Sequence, residues 1–151
     1  MNDIAALLFS DAAGNVHDVA ALPFNESACN AQDVAALLVI DIQNTYLEVP
    51  ADPEEAARWT PFLERMNHQV IPGTAALVDQ CRSHGFEIIY ARIACLTEDG
   101  RDRSLSQKKP GFNYLLLPKD REDSQLVPEL TPQGDEIVIT KTTDSALTGS
   151  N

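Results

Sequence analysis

No lysine or arginine occurs before Arg58, so the first 57 residues carry ten acidic side chains and no basic one. Within a chain of 151 residues and net charge −12, that imbalance repels phosphate backbones and anionic lipid surfaces. Neither a nucleic-acid nor a membrane partner is expected. The same lack of early positive charge removes the basic region of a secretory or organellar leader, so no such leader is expected. Long apolar runs are also missing: the longest, residues 34–40, has seven members, against roughly 18 for a membrane-spanning helix. Cysteine is scarce, with Cys29, Cys81 and Cys95 far apart and in no CxxC or Cys/His cluster. That spacing excludes a disulfide framework and a structural zinc site, and it fits a reducing cytoplasmic location.

What is there is a domain's worth of apolar material, 44% of the residues, enough for a sizeable core. Residues 1–33 read as an acidic extension. The phrases "DIAALLFSD", "DVAALPFNE" and "DVAALLVID" begin at Asp3, Asp18 and Asp33, a 15-residue interval shorter than repeat units of about 20 to 50 residues. They are read as strands of similar composition, with residues 11–18 the turn of a hairpin in which Gly14 and Asn15 take positive φ.

From residue 34 to residue 151 the pattern becomes regular. Residues 35–40 are continuously apolar, which predicts a strand buried on both faces. "ADPEEAARW" predicts a short helix with Asp52 as N-cap, Pro53 at the first helical position and Glu55 completing a capping box. "TPFLERMN" repeats the device with Thr60 and Pro61. A longer helix is expected over residues 74–84, with Ile71, Ala75 and Val78 on one face, Leu77 and Cys81 beside it, and Gly85 as C-cap. Residues 86–93 and 136–140 predict two more strands. The 42-residue polar stretch between them carries four prolines, and a loop so long is functional or loosely ordered. Strand, helix, strand, excursion, strand predicts an α/β fold: a three-layer, open, mostly parallel, Rossmann-like sheet.

Ligands of such sheets sit at the carboxyl ends of the strands. Asp41 closes the first strand and Lys141 follows the third, so the two are candidates for a partly buried pair in which each keeps the other ionised. Gln43 and Asn44 either hydrogen-bond a substrate or hold the loop after the first strand. Arg92, near the crevice end of the second strand, is placed either to meet a carboxylate or to form a surface ion pair. "GRDRSLSQKK" is a basic island that recruits an anion, makes a subunit contact or is simply solvated.

These residues bring a family into view. "LLVIDIQNTYL" resembles the first signature of the isochorismatase-like cysteine hydrolases, an apolar strand ending in D-x-Q-N and followed by an aromatic residue. "EIVITKTTDSALTGSN" is similar to their second, a strand ending in Lys with a Ser four residues on and a terminal Asn. On that match Ser145 and Asn151 shape the turn after Lys141. "IIYARIACLTEDGRDRSLSQKKPGF" resembles the middle segment of members that cleave amide or ureido bonds. Three ordered matches are far more specific than one. The resemblance implies a Cys-Asp-Lys triad. Asp41 would take the thiol proton and pass it to a leaving amine, Lys141 would stabilise thiolate and carboxylate, and backbone N–H groups at the nucleophile would hold the oxyanion.

The family's nucleophile lies in a G-x-x-T-x-x-C segment some tens of residues beyond the Lys, and no such segment precedes Asn151. Cys95 falls nearest the crevice but lacks a following helix N-terminus to lower its pKa; Cys81 is expected to be a buried helical thiol, and Cys29 lies in the extension. The sequence therefore reads as the N-terminal part of a hydrolase, incomplete at its C-terminus: a fragment, a shortened product or a degenerate member. The metal site of the nicotinamidases in this family needs histidines after the second strand; His17, His68 and His84 are all upstream, so no metal and no other cofactor is expected. A small-molecule amide, ureide or similar carbonyl compound is the implied substrate. The rival reading is a truncated, non-catalytic relative that acts by binding, and the uncovered sheet edge of either makes a homo-oligomer an expected partner state.

Overall fold

In the computed structural model, residues 36–109 and 115–148 are described. The first two of the three phrases, the hairpin at residues 11–18, Cys29 and Asn151 lie outside them, while the third phrase enters them at Ala36. Three parallel strands form one sheet in the order β1 (Ala36–Ile40), β2 (Glu87–Ile93), β3 (Ile137–Lys141). Parallel neighbours require crossover connections. The first is a helical run from residue 53 to residue 83, and the second is the long excursion.

The run is assembled from α1 (Pro53–Arg65), a π-helical stretch (Met66–Val70) and α2 (Ile71–Ser83). Its start follows the sequence expectation, since Asp52 Oδ1 accepts the Glu55 N–H at 2.9 Å. The second expected start does not occur. The helix continues through Pro61, and the Thr60 hydroxyl, instead of capping, donates to the Ala56 carbonyl at 3.0 Å. This is affordable because α1 buries none of its residues, so a carbonyl left without its partner by Pro61 meets water. A second proline, Pro72, sits just past the π turn. In a regular helix its ring would strike the carbonyl four residues back; here the Ile71 N–H bonds instead to Met66 O, one residue further, and the widened turn makes room.

Helix α2 buries Ile71, Thr74, Val78 and Cys81, of which Ile71, Val78 and Cys81 join Val39, Ile88 and Tyr90 of the sheet in the core. The helix ends in a Schellman turn: the Phe86 N–H reaches Cys81 O at 3.0 Å and the Gly85 N–H reaches Arg82 O at 3.1 Å, with Gly85 at φ +73°. Arg82 then ties the helix end to the start of β3, donating through Nε and Nη2 to Glu136 at 2.7 and 2.9 Å.

Burial on both faces of β1 is not observed among the described residues. Val39 is buried, but its neighbours Leu38 and Ile40, on the opposite face, are 48% and 51% exposed. Continuous hydrophobicity registers that both faces are apolar, not that both are covered. The polar excursion is also more ordered than its composition suggests. It contains a short helix, α3 (Leu105–Lys108), and two 3-10 turns, and contributes fully buried Val127 and Leu130 to the core. It is stitched to the strand ends by bridges between Gln43 and Leu126 and between Cys95 and Pro118.

A Cβ at position 85 would meet no neighbouring atom, so Gly85→Ala tests conformation alone. The substitution is expected to lower unfolding free energy by about 1–2 kcal/mol, read as a shift in urea midpoint at unchanged m-value.

Candidate active site

Adjacent parallel strands lie about 4.8 Å apart, so β1 and β3 are separated by about 10 Å across β2. Two features close that gap. Asp41 leaves the strand in the left-handed region, φ +56°, which Asp tolerates better than most residues, while its N–H still bonds to Ala91 O at 2.8 Å. Lys141, the last residue of β3, extends its long side chain from the far strand. The ammonium Nζ donates to Asp41 Oδ2 at 2.7 Å. Its side chain is 2% exposed and that of Asp41 28%, so the carboxylate is the member of the pair that solvent or a ligand reaches. Asp41 Oδ1 has no hydrogen-bond partner among the described residues. The site therefore holds one acceptor oxygen committed to lysine and one that is buried and unpaired.

Gln43 fixes this arrangement. Buried beside the strand ends, it donates from Nε2 to Ile93 O at 2.9 Å and to Ser124 O at 2.8 Å, and its Oε1 accepts the Ile93 N–H at 2.8 Å. All its strong hydrogen-bonding capacity except one lone pair is thus used within the chain. Asn44 behaves alike, with Nδ2 donating to Glu122 O at 2.9 Å; it also lines an open groove with Glu48, Arg121, Glu122 and Asp123. Arg92 donates to Ser124 O at 3.2 Å and Gln125 Oε1 at 2.7 Å, leaving a buried Nε without a partner among the described residues, and burial pulls its pKa down. Ser145 shapes the turn after Lys141: its N–H reaches Thr143 Oγ1 at 3.2 Å and its Oγ accepts the Leu147 N–H at 3.1 Å.

Two residues not singled out from sequence also bear on the site. Tyr46, carried on the 3-10 turn Asn44–Leu47, has its phenol pushed up to about 12, chiefly by burial and then by the charges of Asp41 and Asp144. Asp144 accepts from Ser106 Oγ at 2.9 Å and Gln107 Nε2 at 3.5 Å, so it ties the basic island to the segment after β3. The aromatic residue after D-x-Q-N was visible in the sequence; its proximity to two carboxylates was not. Cys95 is buried between the end of β2 and residues 117–119, with its N–H on Leu117 O at 2.8 Å, and burial pushes its thiol up, as it does that of Cys81. Neither has the thiolate character a nucleophile needs.

Residues 35–151 match the family profile of the Isochorismatase domain. The chain belongs to the isochorismatase family. Among solved structures, an isochorismatase family protein from Desulfovibrio vulgaris subsp. vulgaris strain Hildenborough is 26% identical with a TM-score of 0.53, covering 76% of this chain and 56% of its own. One from Burkholderia thailandensis is 25% identical with a TM-score of 0.53, covering 76% and 53%. N-carbamoylsarcosine amidase from Thermoplasma acidophilum, at 17% identity and a TM-score of 0.50, covers 77% and 56% and shares the fold. The chain thus spans about half the length of the solved relatives it matches. No curated protein matches it. Among the described residues no helix is long and apolar enough to cross a membrane.

Two expectations follow from the geometry. Asp41→Ala strands a buried ammonium and should cost about 3 kcal/mol, the low end for a broken buried pair because the carboxylate is partly exposed; Lys141→Met on that background should recover most of the loss, as a double-mutant cycle of urea melts will show. Tyr46 holds its proton from its unfolded pKa of about 10 up to about 12. Between those pH values the folded state binds the extra proton, so stability falls as pH rises. In Tyr46→Phe that alkaline loss should shrink, and the latest phenolate transition in the ultraviolet should disappear.

Proposed function

We propose that the chain forms the acid–base half of a cysteine hydrolase acting on a small amide, ureide or similar carbonyl compound. Asp41 is the base. It accepts the proton of the attacking thiol through its unpaired Oδ1 and later returns it to the leaving amine, while the Lys141 ammonium places positive charge beside the developing thiolate. The thiolate adds to the carbonyl carbon, the C–N bond breaks with release of the amine, and water cleaves the resulting thioester to the acid. The thiol is the one that family resemblance places in a G-x-x-T-x-x-C segment. The observation that carries this reading is the 2.7 Å contact between Lys141 Nζ and Asp41 Oδ2 with the second carboxylate oxygen buried and without a partner among the described residues. Similarity to an amidase supports the substrate class through fold alone. The reading calls for no cofactor, and the sparse cysteines support a cytoplasmic setting.

A second reading has its own support. Cys81 and Cys95 are buried with raised pKa values, which favours a polypeptide that binds such compounds without turning them over.

Ammonia release from a panel of primary amides and ureides, assayed in the full-length gene product, separates the two. The hydrolase reading expects turnover that Asp41→Asn lowers by about 100-fold or more. Calorimetric binding of the same compounds with no turnover would establish the second reading, and activity that survives Asp41→Asn sinks the proposed role of Asp41.

A further inference from the structure

Two loops flank the contact between Lys141 and Asp41. Because the three strands are parallel, residues 94–104, which leave β2, and residues 142–148, which leave β3, emerge at the edge of the sheet where Asp41 lies, the edge at which ligands of open α/β sheets bind. The first loop is tied into itself. Asp102 accepts the Leu96 N–H through Oδ2 and the Thr97 hydroxyl through Oδ1, both at 2.7 Å, and the Gly100 N–H reaches Thr97 O at 2.9 Å. The loop then closes on the end of β3 through consecutive carbonyls. The Ala94 N–H, where the loop departs, donates to Lys141 O at 3.0 Å, and the Ser104 N–H, where it returns, donates to Thr142 O at 3.1 Å.

Side chains complete the junction at Asp144. Its Oδ2 accepts from Ser106 Oγ at 2.9 Å and its Oδ1 from Gln107 Nε2 at 3.5 Å. Both donors belong to α3, which Ser104 caps by accepting the Gln107 N–H at 3.3 Å. The carboxylate thus grips two neighbouring side chains of a helix only four residues long, too short to hold its shape by its own hydrogen bonds. Gln107 is 1% exposed, so its amide has little water to turn to if the carboxylate is withdrawn. Asp144 is itself exposed, yet its charge reaches the Tyr46 phenol on which Asp41 also acts. The junction therefore lies close to the site. Since both Asp144 oxygens are occupied, its part there is to hold other groups rather than to take up a proton.

We propose that Asp144 is a positioning residue: by holding Ser106 and Gln107 it latches α3 and the loop after β2 onto the loop after Lys141, and so fixes the wall of the crevice against which substrate lies. The effect on substrate rests on the hydrolase reading of Asp41; the latch is a property of the fold and stands apart from it. Asp144 acts through hydrogen bonds rather than through its charge. An asparagine in its place still accepts through Oδ1 and can donate through Nδ2 to the Ser106 hydroxyl, so it keeps the latch, whereas alanine keeps neither contact.

Hydrogen exchange and steady-state kinetics of the full-length gene product test the two parts separately. Asp144→Ala is expected to speed amide exchange in residues 104–109 and 142–148 by about tenfold or more while leaving the strands protected. It should raise KM for the amide or ureide turned over by roughly fivefold or more with kcat nearly unchanged, the sign of lost binding rather than lost chemistry. Asp144→Asn should match the wild type in both measurements. Ser106→Ala should loosen the same segments, and adding it to Asp144→Ala should change nothing further, because the contact is already gone. Wild-type exchange in Asp144→Ala overturns the latch. A loss of kcat as large in Asp144→Asn as in Asp144→Ala overturns the positioning role, since it would make the charge itself part of the reaction. If the wild type turns over none of these compounds, the hydrolase reading of Asp41 fails, and the exchange rates still decide the latch.

Discussion

Three hydrogen bonds from one buried amide hold the strand ends together. Gln43 links the chain leaving β1 to Ile93 at the end of β2 and to Ser124 in the excursion. Removing it would take their side-chain partner from the Ile93 N–H and carbonyl and leave Ser124 O to Arg92 alone, and a buried backbone group left unsatisfied costs about 1–3 kcal/mol. That satisfied amide lets Asp41 occupy a left-handed backbone conformation, which by itself favours no folded structure. The position of the carboxylate is therefore a consequence of a residue two places further on.

The pair that results is asymmetric. Lysine supplies length and a fully desolvated charge; aspartate supplies a kinked backbone and a second, buried oxygen that no described residue hydrogen-bonds. Exchanging the two would not reproduce the site, since a short carboxylate on β3 could not cross the width of β2. The surrounding groups accentuate the asymmetry. Tyr46 lies in the field of both Asp41 and Asp144, which with burial keeps its phenol protonated into the alkaline range.

Much of this was legible in the sequence where one residue type meets one local requirement. The Asp52 cap, the Gly85 turn and the three strands each follow from neighbours within a few positions. Asp41 and Lys141 were found because both end apolar strands, which makes a shared location inferable without any contact map. What was not legible depends on distant partners. Pro61 reads as a helix boundary unless one knows that the helix is exposed enough to tolerate it, and the coverage of β1 depends on what lies above Leu38 and Ile40. Residues 94–135 look loosely ordered because their buried members, Val127 and Leu130 among them, are spaced singly between polar residues and follow no helical or strand period.

The contact between Asp41 and Lys141 joins positions 100 residues apart in sequence. Loop-closure entropy must be met before so distant a contact can form. The loop it closes contains the whole helical crossover and the excursion, so the pair depends on long-range order more than any cap or turn does. A partly folded chain in which β3 is undocked therefore exposes the apolar sheet without joining Lys141 to Asp41.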